Sequence, residues 1–250
     1  MSKKISIKEG ASFTLTAVNL KTLSKNVIEI TGTEGNTDIF VKDIIWFIVN
    51  KIFSGCNRCY KEAPCKMGKP LMGCGNRNAD IMILGEAPGE QEDLLRKPFV
   101  GQAGLQLQSA LDAFGLDRDT DLYICNSIIC RPTKISESKN VINRKPLRAE
   151  LDRCKSRLLA EISLVEPKVI VCLGATAREA LTDEDVKIKD MLGLLNKINY
   201  ISWDGKEKEA VLITTYHPSA LLYTHDEKKQ EDMRASIGWS LHKAKEISIQ

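Results

Sequence analysis

Four short apolar segments, each followed by a segment with helical periodicity, constrain the fold of this chain more than any other feature. The apolar segments predict strands at residues 80–84, 121–127, 168–173 and 210–215. The helical segments are residues 102–114, 146–165, 174–182 and 228–246. Strands that alternate with helices form a mainly parallel sheet with helices on both faces. The sequence therefore predicts a three-layer α/β/α fold with a mainly parallel central sheet of four strands.

The beginning of the chain has a different pattern. Short alternating segments such as KISIKEG, SFTLTAV and TDIFVKD are separated by turn residues, and they predict a small β-rich appendage. An apolar segment with helical character, DIIWFIVNKIF, then leads to Gly55. We therefore divide the chain into a β-rich extension of unknown role, residues 1–43, and an α/β domain, residues 44–250.

Charge and apolar runs narrow the class of protein. The net charge of +3 is too small to indicate a nucleic-acid partner by itself, so any basic surface must be local. The start, MSKKISIKEG, has no apolar core after its lysines. The longest apolar run, IIWFIV at residues 44–49, is far shorter than the roughly 20 residues of a membrane span. We expect a cytoplasmic protein without membrane contacts.

Eight cysteines in a chain expected in a reducing compartment favour metal or cluster ligation over disulfide bonds. Cys125 and Cys172 lie inside apolar strands, where a free cysteine packs as a small hydrophobic side chain. The other six are Cys56, Cys59, Cys65, Cys74, Cys130 and Cys154. The first four of these, within CNRCYKEAPCKMGKPLMGC, are sufficient in number for a zinc site.

Each predicted strand ends in a distinctive motif. GEAPGEQED follows the first strand, Asn126 closes the second, GATA follows the third and YHPSALL follows the fourth. In open α/β sheets, ligands bind outside the carboxyl ends of the strands. The four motifs therefore predict a single site at one edge of the sheet.

The side chains of these motifs suit recognition of a nucleobase. The Asn126 amide offers donors and an acceptor to a base edge, and Phe99 offers a stacking surface. His217 can donate a hydrogen bond to a developing anion. The carboxylates of the glycine-rich turn, among them Glu86 and Asp93, can orient a water or face a positive charge. The alternatives are structural: a strand-end turn residue, a core aromatic ring, a structural histidine and a solvated turn.

Taken together, this set fits one reaction. Cleavage of a base from deoxyribose needs recognition of the base edge, stacking and stabilisation of a departing base anion. It also needs a negative field beside the oxocarbenium-like sugar, and a water molecule. Carboxylates in a glycine-rich turn are then reasonable, because they would face a cationic sugar instead of a phosphate.

The motifs GEAPGEQED, PFVGQAG, ICNSIICRP and YHPSALL occur in the order and approximate spacing seen in uracil-DNA glycosylases. Over residues 53–245 the chain resembles the thermostable, iron–sulfur-containing branch, family 4. The resemblance implies a pocket for base and water, a stacking ring, a uracil-reading amide, a catalytic histidine and a wedge that enters the DNA stack. In that order, the matching residues are Glu86, Ala87, Pro88 and Gly89, then Phe99, Asn126, His217 and Leu221.

Ala87 occupies the position at which the classical uracil-DNA glycosylases carry an aspartate. The resemblance therefore implies a largely dissociative mechanism supported by Glu86. We also count Asp93 among the substrate-binding residues.

The resemblance also implies a [4Fe–4S] cluster. Its four ligands would be Cys56, Cys59, Cys130 and Cys154, and four thiolates are the coordination that such a cluster requires. A zinc ion bound by Cys56, Cys59, Cys65 and Cys74 is the alternative.

An inserted segment, KISESKNVINRK, lengthens the interval between the third and fourth of these ligands. It carries Lys134, Lys139, Arg144 and Lys145, which either contact phosphates or are simply solvated. A related branch carries a covalently reacting histidine at this place. The segment has no histidine, so that chemistry is not expected.

The resemblance predicts a monomeric enzyme that removes uracil from single- or double-stranded DNA and thereby starts base-excision repair. Two alternatives are a glycosylase-like domain that binds DNA or a protein without catalysis, and a glycosylase for another deaminated or modified base. A nucleotide hydrolase is the weakest alternative, because the glycine-rich turn lacks the lysine of a P-loop.

Overall fold

The computed structural model describes residues 37–60 and 67–250. Most of the expected β-rich appendage, residues 1–36, lies outside the described residues, as does Cys65. The first helix begins at Thr37, so the interpretation of TDIFVKD as a strand is wrong. The buried side chains of Trp46, Val49 and Phe53 recur with helical spacing, and this helix extends toward the N-terminus past the expected domain boundary at residue 43.

The described residues contain eight helices and eight strands. The helices are α1 (Thr37–Ser54), α2 (Glu90–Leu95), α3 (Gln102–Ala113), α4 (Arg148–Val165), α5 (Ala175–Thr182), α6 (Ile188–Met191), α7 (Ala220–Tyr223) and α8 (Glu227–Ser248). The strands are β1 (Cys74–Gly75), β2 (Ile81–Gly85), β3 (Leu122–Asn126), β4 (Thr133–Ile135), β5 (Val141–Asn143), β6 (Val169–Leu173), β7 (Leu195–Ile201) and β8 (Glu207–Thr215). Within these ranges, no helix has the length and apolarity needed to cross a membrane.

Six strands form the central sheet, in the order β1-β3-β2-β6-β8-β7. The four inner strands are parallel, which confirms the predicted parallel sheet. The short β1 and the longer β7 add antiparallel edges that the sequence did not predict. Gly85 pairs with Asn126, and Leu173 pairs with Thr215, so the parallel strands end at the same edge.

The core lies on both faces of the sheet. Met82 and Leu84 of β2 belong to a cluster that includes residues of α1 and α4. Ile81 and Ile83 of the same strand belong to a second cluster, which includes residues of α3 and α8. Because successive side chains of a strand point to opposite faces, this division confirms the three-layer α/β/α arrangement.

The inserted segment forms a small structure of its own. Strands β4 and β5 pair as an antiparallel hairpin, with Thr133 opposite Asn143 and Ile135 opposite Val141. The hairpin begins a few residues after the end of β3, and it ends just before the start of α4. It therefore lies on the side of the sheet where the predicted motifs end.

Candidate functional site

A cavity of about 480 Å³ lies at the carboxyl edge of the parallel strands. Its lining includes most of the side chains that the sequence singled out. These are Glu86, Ala87, Pro88, Gly89, Phe99, Asn126 and His217. The structure therefore brings three of the four strand-end motifs into direct contact with one cavity.

The amide of Asn126 lies at the buried end of β3 and is only 3% exposed. Its Oδ1 atom has no hydrogen-bond partner among the described residues. A Cβ atom on Gly85 would come within 2.4 Å of both this oxygen and Cζ of Phe99, so only glycine fits there. An unsatisfied buried acceptor costs about 1–3 kcal/mol, which indicates that the amide is arranged for a ligand.

Phe99 forms one wall of the cavity in a strained conformation. Its φ angle is +53°, a left-handed value that is uncommon for a bulky residue. Arg118 donates hydrogen bonds to the carbonyl oxygens of Phe99 and Pro98, at 3.2 and 2.8 Å. A Cβ atom on Gly104 would lie 2.1 Å from the Phe99 oxygen, so α3 approaches this backbone closely. The surrounding contacts thus fix the orientation of the ring.

His217 faces the cavity as a neutral imidazole. Its Nδ1 atom accepts a hydrogen bond from the backbone N–H of Ser219 at 3.2 Å and lies 2.7 Å from the Ser219 hydroxyl. Burial lowers the pKa of His217 to about 4. Because Nδ1 is an acceptor, the single ring proton is on Nε2. The ring centroid lies 5.9 Å from that of Phe99.

The GATA motif lies next to His217 and Glu86, which line the cavity. Gly174 has a φ angle of +94°, and a Cβ atom there would lie 3.3 Å from Cβ of His217. Thr176 hydrogen-bonds to the half-buried carboxyl group of Glu86. Burial raises the pKa of Glu86, while the Thr176 hydrogen bond and the charge of Lys145 oppose that rise.

Glu92 joins the two glycine turns. Its Oε2 atom accepts a hydrogen bond from the Gly89 N–H at 3.0 Å, and Oε1 accepts from the N–H groups of Val100 and Gly101 at 3.0 and 2.8 Å. One carboxylate of the acidic run is therefore structural. The sequence did not distinguish Glu92 from its neighbours, although a glutamate three residues after an N-cap position is a recognised signal.

Asp93 does not line the cavity, so the structure does not bring it together with the other predicted site residues. Its Oδ1 atom accepts a hydrogen bond from the Lys69 N–H at 3.2 Å and pairs with Nη1 of Arg96 at 3.1 Å. Successive side chains of a helix are rotated by roughly 100°, so Glu92 and Asp93 cannot share a direction.

Leu221 is not at the mouth of the cavity either. Its side chain is 6% exposed and belongs to the same core cluster as Ile237 and Leu241. The short helix α7 turns the next two residues, Leu222 and Tyr223, toward the cavity, and they are 38% and 81% exposed. The structure thus places Leu221 in the core and not at the cavity mouth, where a wedge is expected.

The cysteines expected to bind a cluster line a second, small cavity. Cys56 and Cys59 follow α1, Cys130 follows β3, and Cys154 lies on α4. Burial and the charges of the other three cysteines raise the pKa of the Cys130 thiol to about 12. Within the described ranges, no three His, Cys, Asp or Glu side chains are arranged to bind a single metal ion.

Cys74 lies apart from this second cavity. It is in β1, opposite Ile124, and it does not line the space between the other cysteines. The charges that act on its thiol come chiefly from Arg118 and Lys97. The structure therefore gives no support to a zinc site that combines Cys74 with the cysteines after α1.

Comparison with known proteins identifies the family to which the chain belongs. Residues 72–238 match the model of the Uracil DNA glycosylase superfamily. The chain belongs to this superfamily. It is 34% identical to the type-4 uracil-DNA glycosylase of Thermotoga maritima, over 83% of this chain and 96% of the relative. It is also 36% identical to the type-4 enzyme of Archaeoglobus fulgidus, over 70% of this chain and 82% of the relative. The family 4 resemblance is confirmed.

Arg157 of this superfamily member supports the backbone of Asn126 from the helix that carries Cys154, and the sequence analysis missed it. The side chain is fully buried on α4, three residues after Cys154. Its Nη2 atom donates hydrogen bonds to the carbonyl oxygens of Asn126 and Ser127, both at 2.6 Å. Its Nη1 atom pairs with Oε2 of Glu161 at 2.5 Å.

The available signal was helical spacing, because Arg157 and Glu161 recur on the face of α4 that carries Cys154. Glu161 also accepts a hydrogen bond from the Tyr123 hydroxyl at 3.0 Å. The pair thus lies inside the core and not on a solvated face.

Proposed function

We propose that this protein is a uracil-DNA glycosylase, which hydrolyses the N-glycosidic bond of uracil in DNA and so starts base-excision repair. The observation that carries this proposal is the unpaired, buried Oδ1 atom of Asn126, at a cavity that Phe99 and His217 also line. In this proposal the protein acts as a monomer in the cytoplasm, on single- or double-stranded DNA.

Asn126 would read the base. Its Nδ2 group can donate to a carbonyl oxygen of uracil, and its Oδ1 atom can accept the hydrogen bond of the ring N–H. Cytosine presents the opposite order of donor and acceptor on this edge, so a fixed amide would reject it. Phe99 would stack on the base.

His217 would stabilise the leaving group. When the bond between C1′ and N1 breaks, the electron pair stays on uracil and its negative charge is shared with the carbonyl oxygen beside N1. The proton on Nε2 of His217 would be donated in a hydrogen bond to that oxygen. A neutral donor fixed in a dry cavity stabilises such a charge without transferring its proton.

Glu86 would act on the other side of the broken bond. The sugar becomes an oxocarbenium-like cation, and the carboxylate supplies a negative field and a contact for the attacking water. Water adds to C1′, and its proton passes to Glu86. Ala87 lines the cavity without a polar side chain, and this agrees with a dissociative reaction in which the water needs little activation.

We propose that Cys56, Cys59, Cys130 and Cys154 bind a [4Fe–4S] cluster. Four cysteines at one cavity provide the required ligands, and bound iron would remove the repulsion between their thiolates. When bound, the cluster would cross-link the segment after α1, the segment after β3 and helix α4. Its contribution would be structural.

We propose that Leu222 takes the wedge role in place of Leu221. Leu222 lines the cavity mouth and is exposed, which a side chain that enters a base stack must be. Tyr223 beside it lines the same mouth.

Excision is tested with the purified chain and oligonucleotides that contain one uracil, single-stranded and paired. Alkali-labile sites should appear at uracil and be absent when thymine replaces it. Asn126→Asp should reduce the rate roughly ten- to a hundredfold, because a carboxylate cannot donate and one base contact is worth about 1–3 kcal/mol. Absence of cleavage at uracil, or full activity in Asn126→Asp, would contradict the proposal.

A further inference from the structure

The hairpin β4–β5 is fixed to the rim of the cavity. Asn143, at the end of β5, lines the cavity, and its Nδ2 atom lies 3.5 Å from the place of a Cβ atom on Gly89. Arg131 donates from Nε to Oδ1 of Asn143 at 2.7 Å and pairs with Glu90 at 3.4 Å. The base of the hairpin is therefore tied to the glycine-rich turn.

One face of the hairpin continues the cavity wall outward. Thr133 is opposite Asn143, and Ile135 is opposite Val141. Side chains two residues apart on a strand point to the same face, so Ile135 and Val141 form the next cross-strand pair beyond Asn143. They are 63% and 55% exposed. A directly opposed pair of β-branched side chains thus lies in solvent beside the cavity.

Exposed cations lie in the same segment as this apolar pair. Lys134, Lys139 and Lys145 are exposed, and no ion pair joins them to the other residues that the structure describes. Arg144 differs, because its guanidinium is paired with the buried carboxylate of Glu150 at 2.6 Å. Phosphate contacts expected from this segment therefore fall to the three lysines and not to the arginine.

We propose that the hairpin is a second DNA contact, which holds the nucleotide next to the target uracil on the same strand. Ile135 and Val141 pack on the base of that nucleotide, and the lysines neutralise phosphates. The proposal rests on the proposed glycosylase function. A nucleic-acid strand is the partner that fits, because it presents apolar base faces and phosphates at the mouth of a cavity that accepts one base.

The apolar pair is tested with the combined variant Ile135→Ser and Val141→Ser. Three single strands are compared: one with normal bases, one with an abasic residue 5′ of uracil and one with an abasic residue 3′ of uracil. The variant should have about tenfold lower kcat/KM on the normal strand, because it loses the contact of two apolar side chains with the neighbouring base. On the strand that lacks the contacted base, variant and wild type should be equal.

Equal rates on the normal strand, or the same slowing on all three strands, would overturn the proposal. Leu194→Ser combined with Leu195→Ser is the matched control, because these residues are also exposed but lie at the β7 edge of the sheet. The control should match wild type on every strand. As a second variant, residues 135–141 are replaced by Asn-Gly, which closes a two-residue hairpin and should lose the same factor.

The lysines are tested by the salt dependence of DNA binding, measured by fluorescence anisotropy on the same strands with thymine in place of uracil. Lys134→Gln combined with Lys139→Gln should reduce the slope of log K against log salt by about 0.7 for each lysine. Lys187→Gln combined with Lys189→Gln, on exposed positions near α6, should leave the slope unchanged. An unchanged slope in the hairpin variant would contradict the phosphate contacts.

This binding experiment needs no cleavage, so it separates the two proposals. If wild type removes no uracil, the glycosylase function fails. The hairpin proposal would still be decided by the affinities of wild type and the serine variant for the thymine strands.

Discussion

Arg157 donates a hydrogen bond to the backbone carbonyl oxygen of Asn126 at 2.6 Å, from a helix that also carries Cys154. The base-reading residue is thus held in place by a fully buried guanidinium. Glu161 balances this charge at 2.5 Å. Helix α4 therefore supplies both a cysteine of the second cavity and the buried support of Asn126, and this relationship can be tested.

Arg157→Met should destabilise the fold strongly. It would leave the Glu161 carboxylate buried without a charged partner, and breaking a buried pair costs about 3–5 kcal/mol. Replacing Glu161 by methionine as well should restore part of that loss. Arg148→Met is the control, because Arg148 is on the same helix but is exposed, and it pairs with Asp152, Glu179 and Asp183 near the surface. Exposed pairs are worth about 0–1 kcal/mol. Melting temperatures of the four proteins measure the effect, and equal losses for Arg157→Met and Arg148→Met would contradict it.

The buried histidine should make stability depend on pH. The pKa of His217 is about 4 in the folded protein, below its usual 6.5, because burial disfavours the cation. The unfolded chain therefore binds more protons between these values, so stability falls as pH drops from about 6.5 to about 4. His217→Asn should flatten this part of a plot of melting temperature against pH. An unchanged slope would show that the imidazole is not buried as a neutral group.

The parts of the fold that the sequence predicted are those dominated by apolar periodicity. The four parallel strands are buried runs such as IMILG and VIVCL, and such runs have few alternatives. Strand β7, LNKINYI, was missed because most of its side chains are exposed or half-buried, so it lacks an apolar run. Strand β1 has only two residues, too few for any pattern.

The sequence indicated which types of residue would line the cavity, but it could not indicate the direction in which each helical side chain points. Asn126 and His217 line the cavity as expected. Asp93 and Leu221 do not line it, because a shift of one residue along a helix changes the direction of a side chain by roughly 100°. Arg157 was missed because its position on a helix does not by itself indicate that the charged side chain is buried. That inference requires knowledge of its partner, Glu161.

We expect the cysteines at the second cavity to bind the cluster and Cys74 not to bind it. Purified protein should be brown and contain about four irons per chain if the cubane cluster is present. Cys130→Ser should lower iron content and the yield of soluble protein, because Cys130 joins distant segments at the cavity. Cys74→Ser should keep iron, colour and solubility, because Cys74 does not line that cavity. One zinc per chain without iron would overturn the cluster, as would iron loss in Cys74→Ser alone.

Leu222 should act on extrusion of the base, whereas Leu221 should act on stability. Flipping a base out of a duplex costs a few kcal/mol, less when it is mispaired or single-stranded, and an apolar side chain that fills the gap offsets part of this cost. Leu222→Ala should therefore slow excision most on a paired uracil, less on a G·U mismatch and least on a single strand. Its melting temperature should stay near wild type, because the side chain is exposed.

Leu221→Ala is the matched control one residue earlier. It removes the same atoms from a buried site, where such a change costs about 2–5 kcal/mol, so the melting temperature should fall. Its single-turnover rates, measured below its melting temperature, should be reduced by the same factor on all three substrates. If Leu221→Ala instead shows the substrate-dependent slowing and Leu222→Ala does not, α7 must rearrange on DNA to expose Leu221, and the wedge returns to the residue that the family resemblance implied.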